Sequence, residues 1–335
     1  MLKFNEEHYL KMGEEVLARR PQFEAIGEAL KDRSFDTIVI SAIGGTWARY
    51  FPVCMYMRQV TRIPVYLENS ADLYTRPPYY LTSRTLVLTA SNSGNTPEIV
   101  RAAQLCRSRG AVVVSAGEPD ECVLKDESDH YVGVPMSYGE DMYLVFFMQA
   151  LSILYKLGEY ADYPLWAENM TKLHSELLKA KRAFEPKAAE IARKIHKTPY
   201  LIMVSSGLLE KIAYWYCLCV LEECQWIRAN SVSSPDFFHG TLELMEDGQP
   251  LLLVKGVDES RALDERVERF AAKTTDSLIV IDMADYPLSG IEERFAPMCS
   301  VFAAASLLSD RLEAYLEENT GHSLSFRRYY RKMEY

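Results

Sequence analysis

Short apolar runs and amphipathic stretches alternate along this chain, and their order fixes its class. Residues 36–41, 63–67, 85–89 and 111–115 are brief and mostly Val, Ile, Leu and Thr, as strands covered on both faces are. Between them, apolar residues recur at helical spacing over 6–31, 44–60 and 97–109, and two more helical stretches follow at 141–157 and 166–196. The order then restarts. Strands are expected at 200–204, 230–233, 251–255 and 277–281, and helices at 208–228, 239–245, 258–273 and 296–318. Strand and helix in alternation predict an α/β protein with mainly parallel sheets flanked by helices, here two flavodoxin-like three-layer units. The expected division is an N-terminal helix (1–34), a first α/β domain (35–160), a linking helix (161–198), a second α/β domain (199–320) and a C-terminal tail (321–335).

One connection carries chemistry. The strand Thr85-Leu86-Val87-Leu88-Thr89 runs into Ser91-Asn92-Ser93-Gly94-Asn95-Thr96-Pro97, and a helix follows at once. The first N–H groups of a helix have no intrahelical acceptor, and its dipole adds positive potential there. Ser91, Ser93 and Thr96 supply hydroxyls, and Gly94 allows the backbone to close around a cluster of oxygens. With no Lys and no Gly-x-Gly-x-x-Gly, the loop is neither a nucleotide P-loop nor a dinucleotide fingerprint, and a compact phosphate monoester suits it. The same residues would also serve as plain caps after a tight turn, and the loop by itself does not separate the two readings. A second strand–glycine–hydroxyl–helix turn, Ile43-Gly44-Gly45-Thr46, precedes it. Only the first domain has glycines and hydroxyls at both strand ends, so one phosphate pocket per chain is expected.

Composition narrows the partners. A formal charge of −10 over 335 residues argues against nucleic acid, whose phosphates require a basic face. Seven scattered cysteines, with no signal peptide and no apolar run of membrane-spanning length, predict reduced thiols in the cytoplasm and no membrane partner. Cys217, Cys219 and Cys224 share one expected helix on differing faces, which favours packing over a shared metal. No metal and no cofactor are expected.

Together, Gly44-Gly45-Thr46, Ser91-Asn92-Ser93-Gly94-Asn95-Thr96 and Ser234-Pro235-Asp236-Phe237-Phe238-His239-Gly240 resemble the motifs of the tandem sugar isomerase (SIS) domain proteins, over nearly the whole chain. Within that family, Glu223-Cys224-Gln225-Trp226, Phe237-Phe238-His239-Gly240 and the ending Arg327-Arg328-Tyr329 to Glu334-Tyr335 look most like the fructosamine-6-phosphate deglycases. The likeness to glucosamine-6-phosphate synthases is partial: their glutaminase domain has no counterpart ahead of the first strand, and Met1 is followed by Leu2. The resemblance implies cleavage of fructoselysine 6-phosphate, or a related amino-acid adduct, to glucose 6-phosphate and the amino acid without a cofactor. It assigns Gly45, Thr46, Ser91, Asn92, Ser93 and Thr96 to the phosphate, and Asp72, Asp236 and Lys332 to the sugar. Asp236 departs from the family's usual Glu, and Thr241 from its usual proline. The resemblance also implies a homodimer or larger even assembly with shared sites, His239 serving a neighbouring chain.

Reversing an Amadori product takes a proton from C1 and delivers one to C2, work suited to a carboxylate and an imidazole. Glu223, among Tyr216, Val220 and Cys224, is expected to feel desolvation, which would raise its pKa. The resemblance makes Glu223 the C1 base and His239, sixteen residues on, the acid. Glu222 is the alternative carboxylate, read as solvent-facing, and His130 is read as structural. Arg327, Arg328 and Lys332 form either a solvated tail or a cover over the sugar. The competing functions are an aldose–ketose isomerase or an amino-sugar-phosphate deaminase on the same fold, and a non-catalytic sugar-phosphate sensor.

Overall fold

The computed structural model describes residues 1–330 and 332–334; Arg331 and Tyr335 of the expected tail lie outside the described residues. The chain divides into two compact units, Glu7–Thr171 and a second formed by Met1–Glu6 with Lys172–Tyr335.

The first unit has a five-stranded parallel sheet: β1 (Thr37–Ala42), β2 (Val65–Asn69), β3 (Thr85–Ala90), β4 (Val112–Gly117) and β5 (His130–Gly133). Its order is β2-β1-β3-β4-β5. β1, β3 and β4 are buried along their whole length, which accounts for their unbroken apolar sequence. Chain order reverses between β1 and β3, paired from Thr37 with Thr85 to Ser41 with Thr89. The loops leaving those two strands therefore diverge to opposite faces and leave a crevice, the usual ligand position in open α/β sheets. The two loops expected to bind phosphate are the ones that flank it. His130 opens β5 and does not end a strand.

The buried helix Gly139–Lys156 braces this crevice from below. Gln149, fully buried, donates from Nε2 to the carbonyls of Thr89 (3.3 Å) and Val114 (3.0 Å) and accepts the Tyr50 hydroxyl at 2.6 Å. Tyr50, in the helix Gly44–Val60 that follows β1, stacks on Phe146 with ring centroids 3.8 Å apart. One amide thus joins two strands to the helix after a third.

The second unit repeats the pattern with one strand fewer: β6 (Leu201–Ser205), β7 (Ala229–Ser233), β8 (Leu251–Lys255) and β9 (Leu278–Asp282), all parallel in the order β7-β6-β8-β9. Its helices are more broken than periodicity predicts. The expected helix 208–228 is a 3-10 turn (Gly207–Leu209), an α segment (Glu210–Trp215) and a π segment (Tyr216–Glu222). The last helix likewise passes through a π segment, Leu307–Leu312, between Ala296–Ser306 and Glu313–Thr320. The expected helices 6–31 and 166–196 are each two, breaking at residues 18–19 and 171–172. Apolar spacing does not register a one-residue insertion or a short break that leaves the buried face in phase.

Replacing Gln149 by Leu should leave the Tyr50 hydroxyl without its partner and take one hydrogen bond from each of the Thr89 and Val114 carbonyls. A loss of about 1–3 kcal/mol in urea unfolding is expected; an unchanged midpoint would remove Gln149 from its bracing role.

Candidate active site

In the first unit, β3 ends at Ala90 and the chain turns through Ser91–Thr96 into the helix Pro97–Ser108. Buried Ser91 shares a hydrogen bond of 2.9 Å with the Thr96 hydroxyl, and its N–H is held by the Ala116 carbonyl at 3.0 Å. Gly94 is needed twice over. Its φ of +67° favours glycine, and a side-chain carbon there would overlap Cys122. Asn95 Oδ1 accepts the Val123 N–H at 3.1 Å, and the Gly94 carbonyl accepts the Leu124 N–H at 3.0 Å, so a neighbouring loop fixes the turn from outside. Thr96 is the N-cap but its side chain makes no capping bond, and Pro97 follows at the first helical position. Likewise Ile43 caps the helix Gly44–Val60 without a side-chain bond, and Gly44 has φ +57°. Two helix N-termini thus open from adjacent strands without internal caps. Ser93 and Thr96 are half-buried, Asn92 is exposed, and Gly45 and Thr46 are half-buried on the other loop. The expected phosphate residues are grouped on these two loops, where N–H groups and hydroxyls suit an oxyanion.

The second unit's equivalent turn is filled from within. After β6, the Leu208 N–H donates to Asp258 Oδ2 at 2.8 Å, and the Ser260 N–H and hydroxyl both donate to Asp258 Oδ1. The Ser206 hydroxyl meets that of Ser260 at 3.1 Å. Gly207, at φ +56°, has no room for a side chain against Asp258 and Ser260. A carboxylate stands where an external anion would otherwise sit. Sequence reading left Asp258 aside; the signal available was Asp258-x-Ser260 at the end of a strand matching Ser205-Ser206-Gly207. Nearby, fully buried Asp264 accepts the Ser234 hydroxyl, and desolvation raises its pKa more than its hydrogen bonds lower it.

Glu223 lies just past the π segment and is half-buried. It does not stand alone among apolar neighbours: Arg327 Nε donates to its Oε1 at 2.8 Å. That guanidinium also donates from Nη2 to Cys224 Sγ at 3.1 Å and from Nη1 to the carbonyls of Leu324 and Phe326. The C-terminal segment is therefore folded onto the candidate base. Gln225, buried, holds it further, donating to the His322 carbonyl at 2.8 Å and accepting the Thr320 hydroxyl at 2.7 Å. Trp226 adopts φ +56°, which costs a bulky L residue about 1–3 kcal/mol. Its ring packs edge-on to His322 and Phe326, and the Arg328 guanidinium lies 4.0 Å above it. A π insertion followed by a left-handed residue is a pairing concentrated at functional sites, because each must be held by its surroundings. Glu222 keeps much of its surface in solvent, yet desolvation of the covered part raises its carboxyl against an opposing Ala229 N–H. Burial pushes the Cys224 thiol up to about 12.

The other expected residues are placed less centrally. His239 is exposed, in the turn between the short helix Ser234–Phe237 and the 3-10 turn Thr241–Leu244, and its ring makes no hydrogen bond among the described residues. It is not bonded to Glu223. Asp236 is exposed and accepts the Ser233 hydroxyl at 2.7 Å, serving the N-terminal cap of that short helix. Asp72, after β2, is exposed and paired with Arg76. Lys332 is exposed, with Nζ 5.1 Å from the Phe326 ring. The pairing of Arg327 with Glu223, 104 residues apart, has no local signature.

No family model matches the chain. It is 28% identical to the fructosamine deglycase FrlB of Bacillus subtilis over 327 residues, covering 94% of this chain and 97% of that one. It is 26% identical to the fructoselysine 6-phosphate deglycase of Escherichia coli over 326 residues, 97% and 94% of the two chains. A solved Bacillus subtilis structure, described as a candidate phosphosugar isomerase, superimposes with a TM-score of 0.90 at 27% identity, over 96% of this chain and 99% of that chain. The C-terminal domain of glucosamine-fructose-6-phosphate aminotransferase from Francisella tularensis shares the fold, with a TM-score of 0.76 at 16% identity over 94% and 96% of the chains. The protein has the sugar isomerase fold and is a near-full-length relative of the deglycases.

Because the folded pKa of Asp264 is raised, its stabilising contribution is complete below the unfolded carboxyl pKa and is lost as pH rises through the folded value. Chemical denaturation from pH 4 upward should show wild type losing stability relative to Asp264→Asn. Parallel profiles would show that burial does not disfavour the ionised carboxyl.

Proposed function

We propose that this protein cleaves 6-phosphorylated ketosamines, fructoselysine 6-phosphate or a similar amino-acid adduct, to glucose 6-phosphate and the free amino acid. The observation that carries the reading is the near-full-length likeness to two proteins named for this activity. The capless helix N-termini after β1 and β3 support a phosphate there, with Gly45, Thr46, Ser91, Asn92, Ser93 and Thr96 as its donors. Glu223 takes a proton from C1 of the open-chain ketosamine, giving an enaminol. A proton delivered to C2 converts that to the aldose imine, and water then adds at C1 and releases the amine. His239 assists ring opening and proton delivery. Asp72, Asp236 and Lys332 are proposed to contact the sugar. The fixed Arg327–Glu223 pair supports a base whose oxygens are oriented before substrate arrives. Side chains suffice for these proton transfers, so neither metal nor cofactor is invoked.

Exposure of His239 supports its use by a neighbouring subunit in a homodimer or larger even assembly. All seven cysteines are free thiols, which fits a cytoplasmic setting. No described helix is long and apolar enough to cross a membrane.

Turnover of fructoselysine 6-phosphate in D₂O should give free lysine and glucose 6-phosphate carrying deuterium at C2. Glu223→Gln should cost on the order of 10²–10⁴ in rate. Ser93→Ala should weaken binding of the phosphorylated substrate by about 1.5–3 kcal/mol. Interconversion of fructose 6-phosphate and glucose 6-phosphate without cleavage of any ketosamine would replace this reading with an isomerase.

Shared sites have their own test. Mixing inactive Glu223→Gln and His239→Ala subunits should restore part of the activity, and no recovery after verified subunit exchange would place each site within one chain.

A further inference from the structure

A cleft of about 510 Å³ opens in the second unit, where residues 196–199 lead into β6 and residues 225–228 lead into β7. Asn319, Thr320 and His322, at the end of the last helix, complete its wall. Its charge runs against that of the molecule. In a chain of net charge −10, the lining holds Lys197, Arg228 and two imidazoles, with no carboxylate. Lys197 and Arg228 are exposed, and neither ends in a hydrogen bond or ion pair among the described residues.

Deeper in, Asn319 Nδ2 and both ring nitrogens of His322 are sealed from solvent without a hydrogen-bond partner among the described residues. Such atoms are paired in the great majority of native structures, and leaving one unpaired costs about 1–3 kcal/mol. The imidazole is confined: the Trp226 ring lies 4.4 Å away edge-on, the Phe326 ring lies 5.5 Å away, and the His322 carbonyl is tied to Gln225. Lys197 and Arg228, unpaired among the described residues, and the unsatisfied N–H groups of the Asn319 amide and of one His322 ring nitrogen ask for the same occupant, a small anion with acceptor oxygens.

Two residues of the cleft wall, Gln225 and Trp226, stand just after Glu223 in the chain. Phe326, which packs on Trp226, precedes the Arg327 that grips Glu223. We propose that the cleft binds the carboxylate of the amino-acid half of the substrate, so that the enzyme selects ketosamine phosphates carrying an amino acid over those carrying a simple amine. The inference rests on the deglycase reading and adds to it the recognition of the leaving amine.

The test compares the 6-phosphorylated ketosamines of lysine, linked through its ε-amine, and of cadaverine, which differ by the carboxylate. Wild type should favour the lysine adduct by about tenfold or more in kcat/KM, chiefly through KM. Arg228→Gln and Lys197→Gln, at exposed unpaired positions, should erode that preference and leave the cadaverine adduct unchanged. Free lysine, titrated against the Trp226 indole resonance, should bind saturably where lysinamide does not, and Arg228→Gln should weaken it. Equal kcat/KM for the two adducts, or equal losses on both in the variants, would overturn the proposal. If neither adduct is cleaved, the deglycase reading fails and the substrate assignment falls with it; saturable lysine binding would then mark a carboxylate site independent of turnover.

Discussion

A parallel sheet creates one electrostatic demand that the rest of this structure answers. At the carboxyl ends of its central strands, helices begin with N–H groups that no carbonyl of their own can accept, and the helix dipoles concentrate positive potential there. Something anionic stabilises such a place. The two units meet the demand in opposite ways. In the second, Asp258 folds into the turn after β6 and takes the Leu208 and Ser260 N–H groups itself. In the first, neither Ile43 nor Thr96 caps its helix through a side chain, and hydroxyls gather at the opening instead. An internal carboxylate closes one turn to external anions, while the other keeps its donors for one. The same topology thus yields a structural turn and a candidate binding turn, separated by a single acidic side chain.

Holding an uncapped turn in shape requires support from beneath and from the side. Gln149 ties Thr89 and Val114 to Tyr50 below the crevice. Cys122 and Val123 press on Gly94 and Asn95 from the flank. These contacts fix the course of the loop from outside it. Around Glu223, the candidate base, strain substitutes for such scaffolding. The π segment Tyr216–Glu222 shifts the register of the following residues, and Trp226 in the left-handed region turns the chain sharply toward β7. The C-terminal segment then locks both, through Arg327 to Glu223 and through the aromatic contacts of His322 and Phe326 with Trp226.

Much of this was legible in the sequence because it is local. Buried parallel strands read as unbroken apolar runs, and the loop Ser91–Thr96 announces itself by placing hydroxyls and a glycine between such a run and a helix. What stayed hidden is either non-local or periodic in a misleading way. The helix 208–228 keeps apolar residues in phase across a π insertion, so the pattern reports one helix where there are three segments. Arg327 is one cation in a basic tail until the fold brings it to Glu223. Asp236 is assigned to the sugar by its motif, and its hydrogen bond to the Ser233 cap is a feature that the motif does not announce. Desolvation raises the carboxyl of Glu222, which sequence reading set aside, and the tail brings Glu223 a countercharge that periodicity cannot foresee.

Substrate recognition at its charged ends has a consequence for the chemistry between them. On the proposed reading, hydrogen bonds to a phosphate at one end, each worth about 1.5–3 kcal/mol when one partner is charged, act at a distance from C1 and do not change as the proton leaves it. Uniform binding of that kind lowers KM without lowering the barrier. The barrier responds only to groups whose interaction strengthens as charge moves. Glu223 is such a group, and Arg327 sits on the same oxygen that would accept the proton or on its twin. A guanidinium there fixes the direction of the carboxylate oxygens. On the proposed reading the arrangement supplies orientation, which matters most where the C1 proton is already acidified by the adjacent carbonyl and where misalignment of about an ångström costs on the order of 10² in rate.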